Sequence, residues 1–338
     1  MLGRDSATTL GAQVRHDRID DVGLFRTKAR TVLNTVRSDE VQQTSLSAFA
    51  QSETAWAEKF RSILGLRGDY YNFDVESDNP ANSSNKQDGI VSPKIGFILG
   101  PWYQTEYYLN AGYGLHSNDA RGTTTRVDPN TGAPTDPVDP LVRSKGAEVG
   151  LRSHFLPGLV TTLTLWYLEL DSELLFIGDA GTTEASGASR RRGIEWTNFY
   201  QASRWLTLDA DFAFSKAEFK DGGEVPGSVG QVIAAGATVD GPKGFYGTLR
   251  LRHVGDIPLS EDSSVQASPT TLLNLKLGWQ CKRGGVGLDI FNLLDADDSD
   301  ISYFYTSRLP GEPLAGVDDI HFHPVEPRTV RVTAFYTF

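Results

Sequence analysis

Apolar side chains recur at every second position in one stretch of this chain after another. That period fits a strand with one apolar and one polar face and does not fit an amphipathic helix. In "TEYYLNAGYGLHSN" Thr105, Tyr107, Leu109, Ala111, Tyr113 and Leu115 are set against Glu106, Asn110 and His116. Leu206, Leu208, Ala210, Phe212 and Phe214 oppose Thr207, Asp209, Asp211 and Ser215, and Leu273, Leu275, Leu277 and Trp279 oppose Leu272, Asn274, Lys276 and Gly278. The closing stretch repeats the pattern, with Val330, Val332, Ala334, Tyr336 and Phe338 on one face and Arg331, Thr333 and Thr337 on the other.

Between these strands, connections of two kinds alternate. Short ones fall at Trp56 to Lys59, Gly100 to Tyr103, Leu156 to Gly158, Ser203 to Trp205, Gly241 to Gly244 and Lys282 to Gly284. Long polar ones are expected at Asp17 to Val41, Glu76 to Lys86, Asn118 to Leu141, Gly178 to Ser189, Lys220 to Val225, Gly255 to Ser268 and Leu294 to Glu326. Counting through them gives roughly fourteen antiparallel strands, an even number. A soluble sandwich or a β-rich carbohydrate-binding protein is the plainer alternative. Against it, segments such as Leu159 to Gly178 exceed the usual strand length. The opposed face also carries Arg250, Arg252, Asp209, Asp211, Glu169, Asp171 and Glu173, too many charges for a packed interior. A wet lumen accepts them, so the fold class expected is all-β, an antiparallel transmembrane β-barrel portion. Its short turns lie on the periplasmic side and its long loops on the extracellular side. Trp56, Trp102, Tyr103, Trp205 and Trp279, beside the short turns, suit an interfacial aromatic girdle.

Composition narrows the functions. No run approaches the roughly 18 apolar residues of a membrane-spanning helix, a test to which barrel strands are blind. With 43 Asp plus Glu against 32 Lys plus Arg, the formal charge is −11, and no basic stripe points to nucleic acid. A single cysteine, Cys281, forms no intrachain disulfide. No GxSxG, HExxH or CxxC pattern occurs, and the carboxylates of "DADDSD" (Asp295 to Asp300) read as a solvated loop, so neither an enzyme nor a cofactor is expected.

Three stretches carry a family resemblance: "SPKIGFILGPWYQTEYYLNAGYGLHSNDARG" (Ser92 to Gly122), "VGLDIFNLLDA" (Val286 to Ala296) and "PVEPRTVRVTAFYTF" (Pro324 to Phe338). In this order they resemble the carboxy-terminal part of the barrel of a TonB-dependent outer-membrane receptor. The resemblance implies residues 1–338 as a partial barrel of roughly fourteen strands out of an expected 22, with the signal peptide, plug domain and early strands absent. It implies TonB-dependent uptake of a scarce nutrient, most often a ferric siderophore or other metal chelate, in the outer membrane of a Gram-negative bacterium. The implied partners are TonB with ExbB and ExbD through the missing amino-terminal region, the barrel assembly machinery, outer-membrane lipid and lipopolysaccharide; a monomer is expected. Phe338 becomes the terminal aromatic that the assembly machinery reads. A plugless passive diffusion pore is the alternative of a different class.

Ligand-contacting candidates lie at the outer rim. His116, Asn118, Asp119 and Arg121 sit where a strand enters a long loop, and Asp318, Asp319, His321 and His323 precede the last strand. His321 and His323 share a face of an extended segment, so both imidazoles could meet one ligand. Arg190 and Arg192, from "SRRRGIEW", face the same way and could attract an anionic chelate or lipopolysaccharide phosphate.

Overall fold

The computed structural model describes residues 5–177 and 182–338. The chain begins with β1 (Asp5–Lys28), β2 (Thr31–Ala57), β3 (Phe60–Ser77), β4 (Ser84–Trp102) and β5 (Thr105–Ser117), followed by a short helix, α1 (Ala120–Thr124). β6 (Leu141–Ser153) and β7 (Leu159–Leu170) lead to a hairpin of β8 (Glu173–Ile177) and β9 (Thr182–Ser186). β10 (Ser189–Gln201), β11 (Leu206–Phe219), β12 (Gln231–Asp240) and β13 (Phe245–Val254) come next, then the two-residue strands β14 (Ile257–Pro258) and β15 (Gln266–Ala267). β16 (Thr270–Cys281), β17 (Gly284–Phe291), the hairpin β18 (Ser299–Ser307) and β19 (Val317–Pro324), and β20 (Thr329–Tyr336) complete the chain. Fourteen strands form one sheet in the order β1-β2-β3-β4-β5-β6-β7-β10-β11-β12-β13-β16-β17-β20, and the remaining six pair as three small hairpins within the long connections.

Two compact units are distinguished. In the first (Met1–Ile98, Leu109–Ala147, Leu168–Ser189) β1 and β2 form a long ladder, from Asp5↔Ala55 to Lys28↔Thr31. The long loop expected at Asp17 to Val41 is therefore absent, replaced by paired strand that turns at Ala29 and Arg30, both at positive φ. Twenty-four residues of β1 span about 80 Å, far more than the roughly 25 Å apolar band of a membrane barrel. The outer parts of such strands need no apolar alternation, because backbone hydrogen bonds carry the ladder. Near that end Val41, Phe73, Val75, Ala120 and Leu141 make a small apolar cluster in which Phe73 is fully buried.

In the second unit (Leu99–Tyr108, Glu148–Tyr167, Arg190–Phe338) the register from β13 through β20 sorts side chains into rows. Phe245, Trp279, Val286 and Ala334 lie abreast; so do Leu249, Leu275, Ile290 and Val330. The intervening row is polar, Thr248, Lys276, Asp289 and Arg331, and its charges pair: Lys276 Nζ is 3.8 Å and Arg331 Nη2 3.2 Å from Asp289. Arg250 on β13 reaches Asp209 on β11 across β12, where the intervening residue is Gly236. A Cβ at Gly236 would lie 2.5 Å from Arg250 and 2.7 Å from Asp209, so the gap in side chains is what lets the pair form. Two of the charges that made a packed interior implausible, Arg250 and Asp209, are thus matched across strands, and Glu169 is met by Lys145 at 2.6 Å.

The apolar rows, by contrast, are uncovered. Leu249 is 41 %, Leu277 46 % and Val286 51 % exposed, while Asp289 on the opposite face is 8 % exposed. This inverts the polarity of a water-soluble sheet, and an apolar face of this extent calls for an apolar surrounding medium. Trp56, Trp102, Tyr103, Trp205 and Trp279 are all exposed beside the short turns. Those turns fall close to expectation, but the Gly100 to Tyr103 connection is tighter than read: β4 continues to Trp102 and the turn is Tyr103–Gln104. The connection expected at Lys220 to Val225 runs on to β12, while Gly255 to Ser268 and Leu294 to Glu326 contain small hairpins. Gly178 lies outside the described residues.

Candidate functional site

At the long-connection end of the first unit, the loop after β5 is fastened at both ends by side chains. Asn118 donates from its amide to the Asp139 carbonyl at 2.7 Å, while its backbone N–H donates to Pro140 at 3.0 Å. Asp119 caps α1 by accepting from the Arg121 N–H at 2.9 Å and forms an ion pair with Arg121, Nη2 to Oδ2, at 2.7 Å. Midway, Asn82 accepts from the N–H groups of Arg126 and Val127 and donates to the Val127 carbonyl, all at 2.9 Å. Asp128 tightens the tip by accepting from Asn130 and Thr131 N–H groups at 2.8 and 2.7 Å.

Under α1 lies a second ion pair, Arg37 with Asp39, both buried. Each pair acts on the other by charge, Asp119 feeling Arg37 and Arg121 feeling Asp39. Burial pushes the Asp119 carboxyl up, but hydrogen bonds and charge from Arg121, aided by Arg37, hold it below the ordinary carboxylate value. Arg37 Nη2, Asp39 Oδ1 and Asn118 Oδ1 are buried without a hydrogen-bond partner. His116, on β5, lies on the same side of that strand as Glu106 and Asn110, as its phase predicts, and is half-buried.

The other candidates belong to the second unit. Arg190 and Arg192 do face the same way and converge on Glu218, at 3.6 and 3.8 Å, which Lys216 also meets at 2.8 Å. Their charge is thereby partly neutralised. On the β18–β19 hairpin, His321 stacks on Tyr305 with centroids 3.9 Å apart, and His323 pairs with Asp300 at 2.9 Å. The two imidazoles therefore have separate neighbours. Asp318 accepts from the Thr306 hydroxyl and Asp319 from the Ile320 N–H. Among the described residues no group of three His, Cys, Asp or Glu is disposed to hold a metal ion. Phe338 stands fully exposed beyond β20, its ring edge-on to Tyr336 at 5.3 Å.

A family model, TonB dependent receptor-like, beta-barrel, matches residues 1–293. The chain belongs to this TonB-dependent receptor family. The metal-pseudopaline receptor CntO of Pseudomonas aeruginosa is 23 % identical over 284 residues, which cover 78 % of the chain and 38 % of that protein. Among solved structures, the ferric yersiniabactin uptake receptor FyuA of Yersinia pestis superposes with a TM-score of 0.72 at 16 % identity, over 98 % of this chain and 51 % of that one. The ferric-catecholate import receptor Fiu of E. coli K12 (closed form) gives 0.71 at 15 % identity, over 98 % and 52 %. The FrpB iron transporter of Neisseria meningitidis (F5-1 variant) gives 0.67 at 15 %, over 100 % and 54 %. This TonB-dependent receptor chain thus spans about half the length of the solved receptors and less of CntO, and the family places it in the Gram-negative outer membrane. In that membrane its uncovered apolar rows meet lipid.

Three polar residues that the sequence did not single out lie at this end of the first unit. Arg37 and Asp39 lay inside the segment taken for a loop, and Asn82 was one polar residue among many in "SDNPANSSN". For Asn82 only the fold, which brings the loop after β5 alongside, reveals the role.

Proposed function

We propose that this chain supplies part of the wall and the outer vestibule of a TonB-dependent receptor that takes up a metal chelate, with ferric siderophores the leading class. The observation that carries the reading is the family match over residues 1–293, on a sheet whose inner face is polar and internally charge-paired. The relatives named above are receptors or transporters for metal-pseudopaline, ferric yersiniabactin, ferric catecholates and iron. In the mechanism, ligand is captured by the rim built from β5, α1 and the long connections, and no covalent chemistry is required of the wall. Energy arrives from the inner membrane through TonB, ExbB and ExbD acting on a plug, which a longer protein of the relatives' length would provide. The chain then forms the carboxy-terminal part of a barrel of roughly 22 strands, and Phe338 serves the assembly machinery. The rim residues His116, Asn118, Asp119, Arg121, Arg190, Arg192, Asp318, Asp319, His321 and His323 shape the vestibule, several of them by holding loops rather than ligand.

The test is uptake of radiolabelled ferric chelates by cells with and without the gene, each with and without a protonophore. Energised, gene-dependent accumulation supports the reading. Gene-dependent entry that is indifferent to the protonophore would instead establish a passive pore.

A further inference from the structure

Where β10 and β11 approach the long-connection end of the second unit, the face that carries their apolar residues changes character. Ile194 and Trp196 of β10 and Phe214 of β11 are exposed on that face, and Trp196 stacks on Phe212 with centroids 5.4 Å apart. Continuing in the same two-residue phase, the next side chains are Arg192 and Arg190 on β10 and Lys216 and Glu218 on β11. The three cations are thus turned to the side that meets lipid, away from the side of β11 that carries Asp209 and Asp211.

The height of this change matches a membrane boundary. Nine residues separate Arg192 from Gln201, where β10 reaches its short turn, and ten separate Lys216 from Leu206, where β11 leaves it. At about 3.3 Å per residue and a strand tilt of about 40°, these stretches rise roughly 23 and 25 Å, against an apolar band of roughly 25 Å in a membrane barrel. With exposed Trp205 in the short turn at one interface, Arg190, Arg192 and Lys216 stand at the other, the headgroup level of the outer leaflet. In the first unit Arg143 likewise stands ten residues from the Ser153 end of β6, over the exposed Tyr113 ring at 5.2 Å.

The cluster is not closed on itself. Glu218 makes its close contact with Lys216, at 2.8 Å, whereas Arg190 and Arg192 stay 3.6 and 3.8 Å away, longer than a hydrogen bond. The second carboxylate, Glu224, lies 3.8 Å from Lys216 and accepts from the Ser263 hydroxyl at 2.8 Å. Three cations against two carboxylates leave positive charge over, and the two arginine side chains, 50 % and 66 % exposed, have N–H groups that Glu218 does not use.

We propose that Arg190, Arg192 and Lys216 form a binding point for the phosphate groups of outer-leaflet lipid, whose acyl chains lie along Ile194, Trp196 and Phe214. A guanidinium takes a phosphate through two parallel N–H···O bonds, and the lysine adds a point charge. The other anion considered for these arginines, a chelate passing through the barrel, would have to reach them from the lipid side. The proposal needs the outer-membrane location and not the uptake reading.

The experiment uses the full-length protein purified from outer membranes in detergent, with bisphosphorylated lipid A as the probe and titration by native mass spectrometry as the readout. At low salt the parent is expected to bind it about tenfold or more tightly than phosphate-free lipid A, and the combined Arg190→Gln, Arg192→Gln and Lys216→Gln variant to lose that preference. Glu218→Gln is expected to strengthen binding, because it takes away a competing carboxylate, and Lys282→Gln, on the β16–β17 turn, to leave it unchanged. Heat-modifiable gel mobility shows that each variant still folds. Equal binding of the two lipids by the parent overturns the site, as does an undiminished preference for phosphate in the triple variant. Displacement of the lipid by an equal concentration of inorganic phosphate, or loss of ferric-chelate binding in a triple variant that keeps the parent's affinity for lipid A, also overturns it. Failure of energised uptake with the lipid preference intact would overturn the uptake reading and leave the site standing.

Discussion

Asn82→Ala should release the loop after β5 without disturbing the sheet. Asn82 is 1 % exposed and holds the loop by three hydrogen bonds of 2.9 Å, two accepted from Arg126 and Val127 and one donated to Val127. Each such bond contributes about 1 kcal/mol net, so their joint loss is worth about 3 kcal/mol, or roughly a hundredfold in a local opening equilibrium. Asn82 sits in a 3-10 turn between β3 and β4, not in the ladder. The effect should therefore stay local. Hydrogen exchange followed by mass spectrometry, on peptides spanning 118–141, should show roughly hundredfold faster exchange around residues 126–127, with β11 to β13 unchanged. Asn82→Asp, which keeps the acceptor and loses the amide donor, should show the smaller part of the effect. Unaltered exchange at 126–127 in Asn82→Ala would refute the claim that this side chain fastens the loop.

Gly236→Leu should separate Arg250 from Asp209, since even a Cβ would lie 2.5 Å from the guanidinium; a double-mutant cycle between Arg250 and Asp209 should show a coupling in the parent that vanishes in the Gly236 variant. Leu249→Arg places a charge on the lipid face and should cost about 2–4 kcal/mol if it lies near mid-bilayer, measured by denaturant unfolding in liposomes, whereas Thr248→Arg on the polar face should cost far less. Asp262, bound by Ser260 and Ser264, has its carboxyl pKa lowered to about 2. A depressed carboxylate stabilises the folded loop above its unfolded value of about 3.9, and that contribution fades as pH falls toward the depressed value. A carbon-13 titration of the Asp262 carboxyl should therefore show no midpoint near 4, and the same holds in direction for Asp119, whose pKa is also lowered.

The sheet was most legible where each strand keeps its apolar residues in phase. The rows through Leu249, Leu275, Ile290 and Val330 follow from alternation alone, because a lipid-facing side chain must be apolar wherever the strand crosses the membrane. The same logic failed at Asp17 to Val41, a stretch with ten charged residues. There β1 and β2 extend past the apolar band, and nothing in the surroundings demands alternation, so paired strand looks like loop. The candidates near α1 follow from their position in the sequence alone, whereas the hydrogen bonds that fasten the loop join residues far apart in the chain, Asn118 with Asp139 and Asn82 with Val127. Arg37 and Asp39 were lost with the misread hairpin.

The matching of charges also bears on how the sheet keeps its register. A polar inner face made of unpaired charges would bind counterions indiscriminately and would be strained by repulsion between like charges. Here Asp209 is matched by Arg250 and Asp289 by Lys276 and Arg331 across strands of the second unit, while in the first Asp69 is matched within its own strand by Arg67. Pairing across strands satisfies the charges at little desolvation cost, because the pairs remain partly open to water. It also fixes neighbouring strands in register, since a shift by one residue would carry every charge to the apolar side.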